Sequence, residues 1–248
     1  MLSRYLPIFI VLSILAEILG TVGGFGSSVF FVPIANFFLD FQSVLGITAL
    51  FHLSSNVSKI ALFRKGIDKK LIFQLGLPAV IFVSVGAFFS KYFNAEILTL
   101  ILAVFLIGLS LLFLIFKKLK LNASPKNAVV GGALSGFSAG ILGTGGAIRG
   151  ITLAAFKMKK DVFIATSAII DLGVDFSRTI IYYFNGYIHN HDLYLVPILI
   201  VVSIFGTWIG KKILNRVSQK QFNHIVLLLI LIIGITTLLS VFYPVSIN

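Results

Sequence analysis

Two apolar segments of this chain, 43–63 and 161–184, carry the same pattern of polar side chains. In each segment three polar residues have the spacing i, i+4, i+7, which places them on one face of a helix. Burying such groups in an apolar environment is costly, so they are expected to face a cavity or a partner group. The two sets are His52, Asn56 and Lys59 in the first segment and Asp171, Asp175 and Arg178 in the second. We interpret these residues, with the exception of Lys59, as a polar pathway through the protein.

Proton transfer is the chemistry that this pathway suits best. Asp171 lies near the middle of its segment, where desolvation favours the neutral form of a carboxyl group, as a proton carrier requires. Glu17, in the first apolar segment, is the second candidate. Asp175 and Arg178 are three residues apart and can pair, which could equally be a structural ion pair between helices. Lys59 lies near the basic end of its segment, so its ammonium group is expected to extend to the surface.

A second repeated pattern is a glycine pair that interrupts an apolar stretch. The sequence LGTVGG at 19–24 returns as LGTGG at 142–146, one residue shorter. A glycine pair inside a membrane segment ends the helix and exposes backbone N–H and C=O groups, which must then face protein or water. Two such breaks at corresponding places in two half-chains indicate the binding site of a transporter.

The short segments that follow the two breaks predict a site for an anion. Their helix N-termini carry partial positive charge and free N–H groups, both of which favour anions. The residues predicted to contact the anion are Gly23, Gly24, Ser27, Ser28, Thr144, Gly145, Gly146 and Arg149. The alternative is that the glycines only allow helices to pack closely, and the sequence leaves both interpretations open.

Composition defines the environment of these groups. Of the 248 residues, 58% are hydrophobic and 11% are charged, whereas a soluble domain is about a quarter charged. We therefore predict an integral membrane protein. The formal net charge is +12, but no soluble module is long enough to bind nucleic acid, so no such partner is expected. The chain has no cysteine, which excludes disulfides and thiolate chemistry.

The chain divides into two repeats, 1–121 and 122–248, within one integral membrane domain. The repeats align at an offset of about 120 residues, which matches Pro78 with Pro197. In each repeat the second apolar segment is too short to cross a bilayer, so it is interpreted as the returning arm of a broken-helix hairpin, with three full crossings after it. The predicted segments are 5–22, 28–40, 43–63, 71–92 and 96–116, then 127–143, 148–157, 161–184, 193–212 and 221–243.

Basic residues determine the predicted orientation. Four loops, 64–70, 117–126, 157–160 and 211–220, contain fifteen of the 20 Lys and Arg residues. The positive-inside rule places these loops in the cytoplasm, and this requires the second repeat to be inverted relative to the first. If each hairpin were instead a single crossing, the chain would have eight spans and parallel repeats, with two basic loops outside.

Two further motifs have simpler interpretations. The sequence GFSAG at 136–140 matches a nucleophile elbow around Ser138, but it lacks the strand–turn–helix context and fits a stripe of small packing residues better. His189, His191 and Asp192 could bind a metal ion in a loop. Nothing else in the sequence supports this, so we interpret them as an exposed polar turn and predict neither a metal site nor a cofactor.

The glycine segments resemble a known family. The stretches GTVGGFGSSVFFVP at 20–33 and GILGTGGAIRG at 140–150 are similar to the paired glycine motifs of the sulfite exporter TauE/SafE family. The resemblance extends to the length, the duplication and the basic loops. It implies transport of a small sulfur-containing anion such as sulfite, sulfoacetate or thiosulfate, driven by an ion gradient without ATP. The second copy departs from the pattern, because it lacks a counterpart of Pro33 and carries Arg149.

These observations predict an all-α, multi-pass protein of the plasma membrane, with two inverted repeats and alternating access around a central anion site. Its expected partners are the small anionic substrate, the lipid bilayer and coupling protons, and it is not expected to be an enzyme. The alternatives are an intramembrane serine-type enzyme, a non-transporting membrane scaffold and a channel.

Overall fold

The computed structural model describes residues 2–24, 26–63, 66–115, 121–214, 216 and 219–242, and all regular structure within them is helical. The predicted all-α class is confirmed, and the ten predicted segments match ten helices to within a few residues. These helices are α1 Leu2–Gly23, α2 Ser28–Ala35, α3 Phe41–Leu62, α4 Lys69–Ser90, α5 Ala95–Ile115, α6 Pro125–Leu142, α7 Gly146–Ala154, α8 Lys160–Phe184, α9 Leu195–Leu214 and α10 Gln219–Phe242. Helix α4 contains a π-helical turn over Ile72–Gly76.

The helices provide the lengths that a membrane protein needs. Within the described ranges, four helices are long and apolar enough to cross a membrane: Tyr5–Gly23, Lys69–Ser90, Ala95–Ile115 and Leu195–Leu214. Helices α3 and α8 are also long, with 22 and 25 residues, but they carry the polar sets and are less apolar. Large apolar side chains on the outer surface, such as Phe73 and Phe184, are exposed, as a lipid-facing surface requires.

The chain ends a helix and reverses at both glycine motifs, as predicted. After α1, Gly24 and Gly26 adopt φ values of 70° and 79°, which glycine tolerates because it has no Cβ. Helix α2 then returns along α1, and the rings of Phe9 and Phe31 pack with centroids 5.9 Å apart. After α6, Gly143 has φ 73°, and α7 returns along α6. Each half therefore begins with a helical hairpin.

Some helices of each half pack against helices of the other half. Helix α4 of the first half packs along α6 of the second, and α9 of the second half packs along α1 of the first. Gly132 and Gly136 of α6 lie directly against the backbone of Leu75 and Ala79 of α4, where a Cβ atom would clash. The contacts run in the same order along both helices, so α4 and α6 are parallel. The glycine stripe predicted at 136–140 is confirmed as a packing surface.

Helices α3 and α8, which carry the two polar sets, pack directly against each other. Near the start of α3, Gly46 lies against the carbonyl of Tyr187, just beyond the end of α8. Farther along, the Asn56 side-chain amide donates to Asp175 Oδ2 over 2.6 Å. The contacts run in opposite order along the two helices, so these equivalent helices are antiparallel.

Several basic connections gather at one end of the bundle. The Asp68 backbone N–H donates to Thr166 Oγ1 over 2.9 Å, and Lys211 Nζ donates to the Leu62 carbonyl over 2.6 Å. The end of α3 therefore lies beside the start of α8 and the end of α9. Five basic residues of these loops lie outside the described residues: Arg64, Lys65, Lys117, Lys118 and Lys120.

Candidate functional site

The two helix breaks meet. The Thr144 hydroxyl donates to Ser28 Oγ over 3.3 Å. A Cβ atom built on Gly26 would lie 3.9 Å from the Gly146 Cα and 3.5 Å from a terminal nitrogen of Arg149. The chain therefore brings two regions that lie about half its length apart into one place, as the sequence predicts for the breaks.

Among the described residues, three ion pairs surround the breaks, two of them buried and one partly buried, and together they balance three acidic groups against three basic ones. Lys59 Nζ lies 2.9 Å from Glu17 Oε1, with side-chain exposures of 8% and 0%. A terminal nitrogen of Arg178 lies 2.7 Å from Asp175 Oδ1, and both side chains are 2% exposed. The third pair joins Arg149 and Asp171. With His52 neutral, the cluster carries no net charge.

Arg149 and Asp171 form a bidentate pair at the second break. Both terminal nitrogens of Arg149 contact the Asp171 carboxylate, and its Nε donates to Ser167 Oγ over 2.9 Å. Arg149 is 2% exposed on its side chain, whereas Asp171 is 14% exposed. The sequence assigns these residues separate roles, in anion contact and in proton transfer. The structure makes them partners, so a change at one must affect the other.

Glu17 is surrounded by donors from three other helices or their ends. Its carboxylate accepts from Ser27 over 2.5 Å, from Ser55 over 2.7 Å and from Thr207 over 2.8 Å, in addition to Lys59. These donors satisfy both carboxylate oxygens within the protein. The hydrogen bonds of Glu17 therefore connect the first break to α3 and α9.

The expectation that Lys59 extends to the surface is wrong. Its ammonium group turns inward, where it contacts Glu17 and donates to Ser55 Oγ over 2.7 Å. A buried counter-charge outweighs hydration of the ammonium group here, and Glu17 lies too far away in the sequence to be recognised as that partner.

Arg178 and Tyr182 cap the end of α6 at the second break. One terminal nitrogen of Arg178 donates to the carbonyls of Ala139 and Gly143 over 3.1 and 2.8 Å, and the Tyr182 hydroxyl donates to the Gly140 carbonyl over 2.7 Å. The last carbonyls of a helix have no partner within the helix. These two side chains supply partners, and the predicted pair of Asp175 with Arg178 holds the guanidinium in place.

His52 and Asn56 connect the two breaks. His52 Nε2 lies 3.2 Å from Ser27 Oγ at the first break, and its Nδ1 lies 4.0 Å from Asp175 Oδ2. Asn56 donates to the same Asp175 oxygen. The predicted members of the polar pathway are therefore neighbours in space, although their role in transport stays a prediction.

A cavity of about 20 Å³ lies between the first break and α8. It is lined by Gly20, Thr21, Gly24, Gly26, Asn56, Lys59, Ile164, Ser167, Ala168 and Asp171. This volume holds about one water molecule. An anion larger than water therefore needs the groups around the cavity to move.

Two predicted glycines flank the breaks. Gly23 is the last residue of α1, and Gly145 is the residue before α7.

Comparison with known proteins identifies the family. The sulfite exporter TauE/SafE family matches residues 9–237. The chain belongs to this family. A "probable membrane transporter protein" of Methanocaldococcus jannaschii is 26% identical over 256 aligned positions, which cover 93% of each chain. No solved structure matches the chain.

The family match includes both breaks and all six charged residues of the cluster. This TauE/SafE protein is therefore a membrane transporter, and the resemblance noted in its glycine motifs is confirmed. The alternative nucleophile Ser138 donates its hydroxyl to the Thr144 carbonyl over 2.6 Å. In this fold Ser138 stabilises the second break.

Three hydroxyl residues that contact the charged residues around the breaks are not predicted from the sequence. Ser167 lies four residues before Asp171 and Ser55 lies four residues before Lys59, so helical spacing places each on the polar face and could have identified both. Thr207, by contrast, is one of two hydroxyl residues in the apolar helix α9, with Ser203 as the other. No local pattern distinguishes it from an ordinary packing residue.

Proposed function

We propose that this TauE/SafE protein transports a small sulfur-containing oxyanion by alternating access, and that Arg149 binds the substrate where the two helix breaks meet. The observation that carries the proposal is the Arg149–Asp171 pair, because Asp171 lines the cavity between the first break and α8. Sulfite, sulfoacetate and thiosulfate are the candidate substrates.

The carboxylate of Asp171 occupies the position that an anion would take. A guanidinium group presents its N–H donors in a fork that matches two oxygens of a carboxylate or of another oxyanion. A sulfur oxyanion offers two or more oxygens of this kind. It therefore replaces the Asp171 carboxylate on Arg149 without loss of hydrogen bonds, while Ser167 keeps its bond to Nε.

Charge balance supports a coupled proton. The cluster is neutral before the substrate binds, so an anion adds a negative charge to a buried site, and a net charge there is costly. Protonation of one carboxylate restores neutrality. Asp171 suits this role best, because its side chain is 14% exposed while those of Glu17 and Asp175 are 0% and 2% exposed. We expect one proton to accompany each negative charge of the substrate.

The antiparallel packing of α3 on α8 and the packing of helices of each half against those of the other support two inverted repeats, 1–121 and 122–248. The grouping of basic connections at one end supports a cytoplasmic face in the plasma membrane. Motion between the two halves would open the small cavity to each side in turn. Because the chain has no native cysteine, Met158→Cys and Ile188→Cys test the orientation directly. The inverted arrangement predicts labelling of position 158 from the cytoplasmic side and of position 188 from the outside. Labelling of 158 from the outside, or of both positions from the same side, would overturn it.

Flux into proteoliposomes tests the transport proposal. The purified protein is expected to accumulate radiolabelled sulfite, sulfoacetate or thiosulfate when a pH gradient is imposed and to stop when the gradient is collapsed. Asp171→Asn is expected to exchange the anion but not to accumulate it. Glu96→Gln, an exposed carboxylate at the start of α5, is the matched control and should behave as wild type.

Two outcomes would contradict different parts of the proposal. Flux that does not respond to the pH gradient would remove proton coupling while leaving the anion site intact. Absence of flux for all three sulfur anions, with a correctly folded protein, would remove the substrate class.

A further inference from the structure

Outside the transport site, the connection between α8 and α9 gathers three side chains that can bind a metal ion. His189, His191 and Asp192 each offer one nitrogen or oxygen, and these atoms lie within 4.8 Å of one another. The three residues form a single turn, in which Asn190–Asp192 is a short 3-10 helix. The turn belongs to neither helix break.

Asp192 distinguishes this turn from an ordinary polar loop. Its side chain is only 5% exposed, and Oδ2 has no hydrogen-bond partner among the described residues. A buried carboxylate oxygen without a partner is costly and therefore rare. The nearest ring nitrogens, Nδ1 of His189 and Nε2 of His191, lie 3.7 and 3.5 Å from the carboxylate oxygens. These distances are too long for hydrogen bonds.

The distance from Nε2 of His191 to the carboxylate fits a shared cation. Ligands at about 2.0–2.1 Å from a tetrahedral metal ion lie about 3.4 Å from one another. Nδ1 of His189 is hydrogen-bonded to the Ser43 hydroxyl of α3 over 2.8 Å, so this ring offers its other nitrogen, Nε2, to the ion. The His189 and His191 rings stack with centroids 5.2 Å apart. Such outer contacts typically hold metal ligands in place.

We propose that His189, His191 and Asp192 bind one divalent transition-metal ion of the Zn²⁺ type. Two imidazoles and one carboxylate suit Zn²⁺ better than Mg²⁺ or Ca²⁺, which prefer oxygen ligands. Three protein ligands leave a fourth position for water. From the sequence alone this turn is expected to be exposed, and no metal site is predicted. The burial of Asp192 changes this interpretation.

The site lies where the two halves of the protein meet. Ser43 belongs to the first turn of α3, and Gly46 packs against the backbone of Tyr187, two residues before His189. A bound metal ion rigidifies the turn that contacts α3. Zn²⁺ therefore should raise the thermal stability of the protein, because it binds the folded state selectively.

Titration of the detergent-solubilised full chain with zinc chloride tests the proposal, provided that the purification tag contains no histidine. Calorimetry is expected to give one ion per chain with micromolar affinity or tighter. His191→Ala should weaken binding at least about tenfold. Its side chain is 74% exposed, so this substitution does not disturb the core. Asp192→Asn is the second variant, and exposed Asn190→Ala is the control that should retain binding.

Three results would overturn this assignment. One is the absence of Zn²⁺ binding by the wild-type chain. Another is equal affinity in the wild-type, His191→Ala and Asp192→Asn proteins, because the ion would then bind elsewhere. The last is loss of binding in Asn190→Ala as large as that in His191→Ala, since this would indicate a general effect on the turn.

Discussion

The two helix breaks occupy equivalent positions but use different chemistry. When the repeats are aligned on their glycine pairs and on their polar sets, Ser27 corresponds to Arg149 and His52 to Asp171. At the first break, Ser27 and His52 lie 3.2 Å apart as a pair without a permanent charge. At the second break, the corresponding residues form a bidentate ion pair. In this alignment the contact is present at both breaks, but its charge differs.

The corresponding basic residues near the two breaks also differ in the partners that they contact. Lys59 and Arg178 correspond to each other, and each reaches back to the first helix of its own half. Lys59 meets the carboxylate of Glu17, whereas Arg178 meets the backbone carbonyls of Ala139 and Gly143. A helix that ends inside the protein can therefore be stabilised either by an ion pair between side chains or by a side chain that caps its backbone carbonyls. We assign the first break a structural role and the second the exchange of substrate.

Arg149→Ala is expected to have the largest effect, a fall in anion flux of at least about 100-fold. A fall of this size corresponds to a loss of about 3 kcal/mol of binding energy. It removes the proposed substrate contact, and it also leaves the Asp171 carboxylate buried without its partner. Proteoliposome flux measures the first effect. Thermal unfolding in detergent measures the second.

The double variant Arg149→Ala with Asp171→Ala separates binding from folding. It removes both charges, so it should recover much of the thermal stability lost by Arg149→Ala alone. Flux should stay absent. Wild-type flux in the double variant would exclude a role for this pair in binding the anion.

Lys59→Met tests the first break and is expected to destabilise the protein by about 3–5 kcal/mol, because it leaves Glu17 charged and buried. Adding Glu17→Gln should restore most of this stability, since Ser55 and Thr207 can still donate to the amide oxygen while the amide NH2 group donates to Ser27 Oγ. The double variant at this break should also transport. Flux as low as that of the Arg149 and Asp171 double variant would show that both breaks bind substrate.

The sequence predicts the elements far better than it predicts their partners. Helix positions and both breaks follow from apolar periodicity and from the glycine pairs, which are local patterns. The pairs of Glu17 with Lys59 and of Arg149 with Asp171 join residues on different helices. Their contact depends on how the hairpins pack, and no spacing within a single segment encodes it. Only Asp175 and Arg178 are close enough in sequence for their pairing to be predicted.

Gly26→Ala is expected to raise the KM for the anion several-fold. A methyl group there would lie 3.5 Å from Arg149 and 3.9 Å from Asp171, in the space through which an anion approaches. Gly186→Ala is the matched control, because both glycines have a left-handed φ, 79° and 77°, but a Cβ at Gly186 meets nothing within 4 Å. Both variants should lose about 1–2 kcal/mol of stability through backbone strain. An equal KM in the two variants would argue against substrate binding beside Gly26.

Tyr182→Phe is expected to have the smallest effect, a loss of about 1 kcal/mol in the free energy of unfolding. The phenol caps the end of α6 by donating to the Gly140 carbonyl, and Arg178 continues to cap its neighbours in the variant. Flux should therefore change little, and thermal unfolding is the sensitive measurement. Exposed Tyr183→Phe, one residue along α8, controls for loss of a hydroxyl group and should leave stability unchanged. If Tyr182→Phe lowered flux strongly while stability stayed the same, the second break would need its backbone cap for transport itself, and the contrast with the first break would extend from binding to motion.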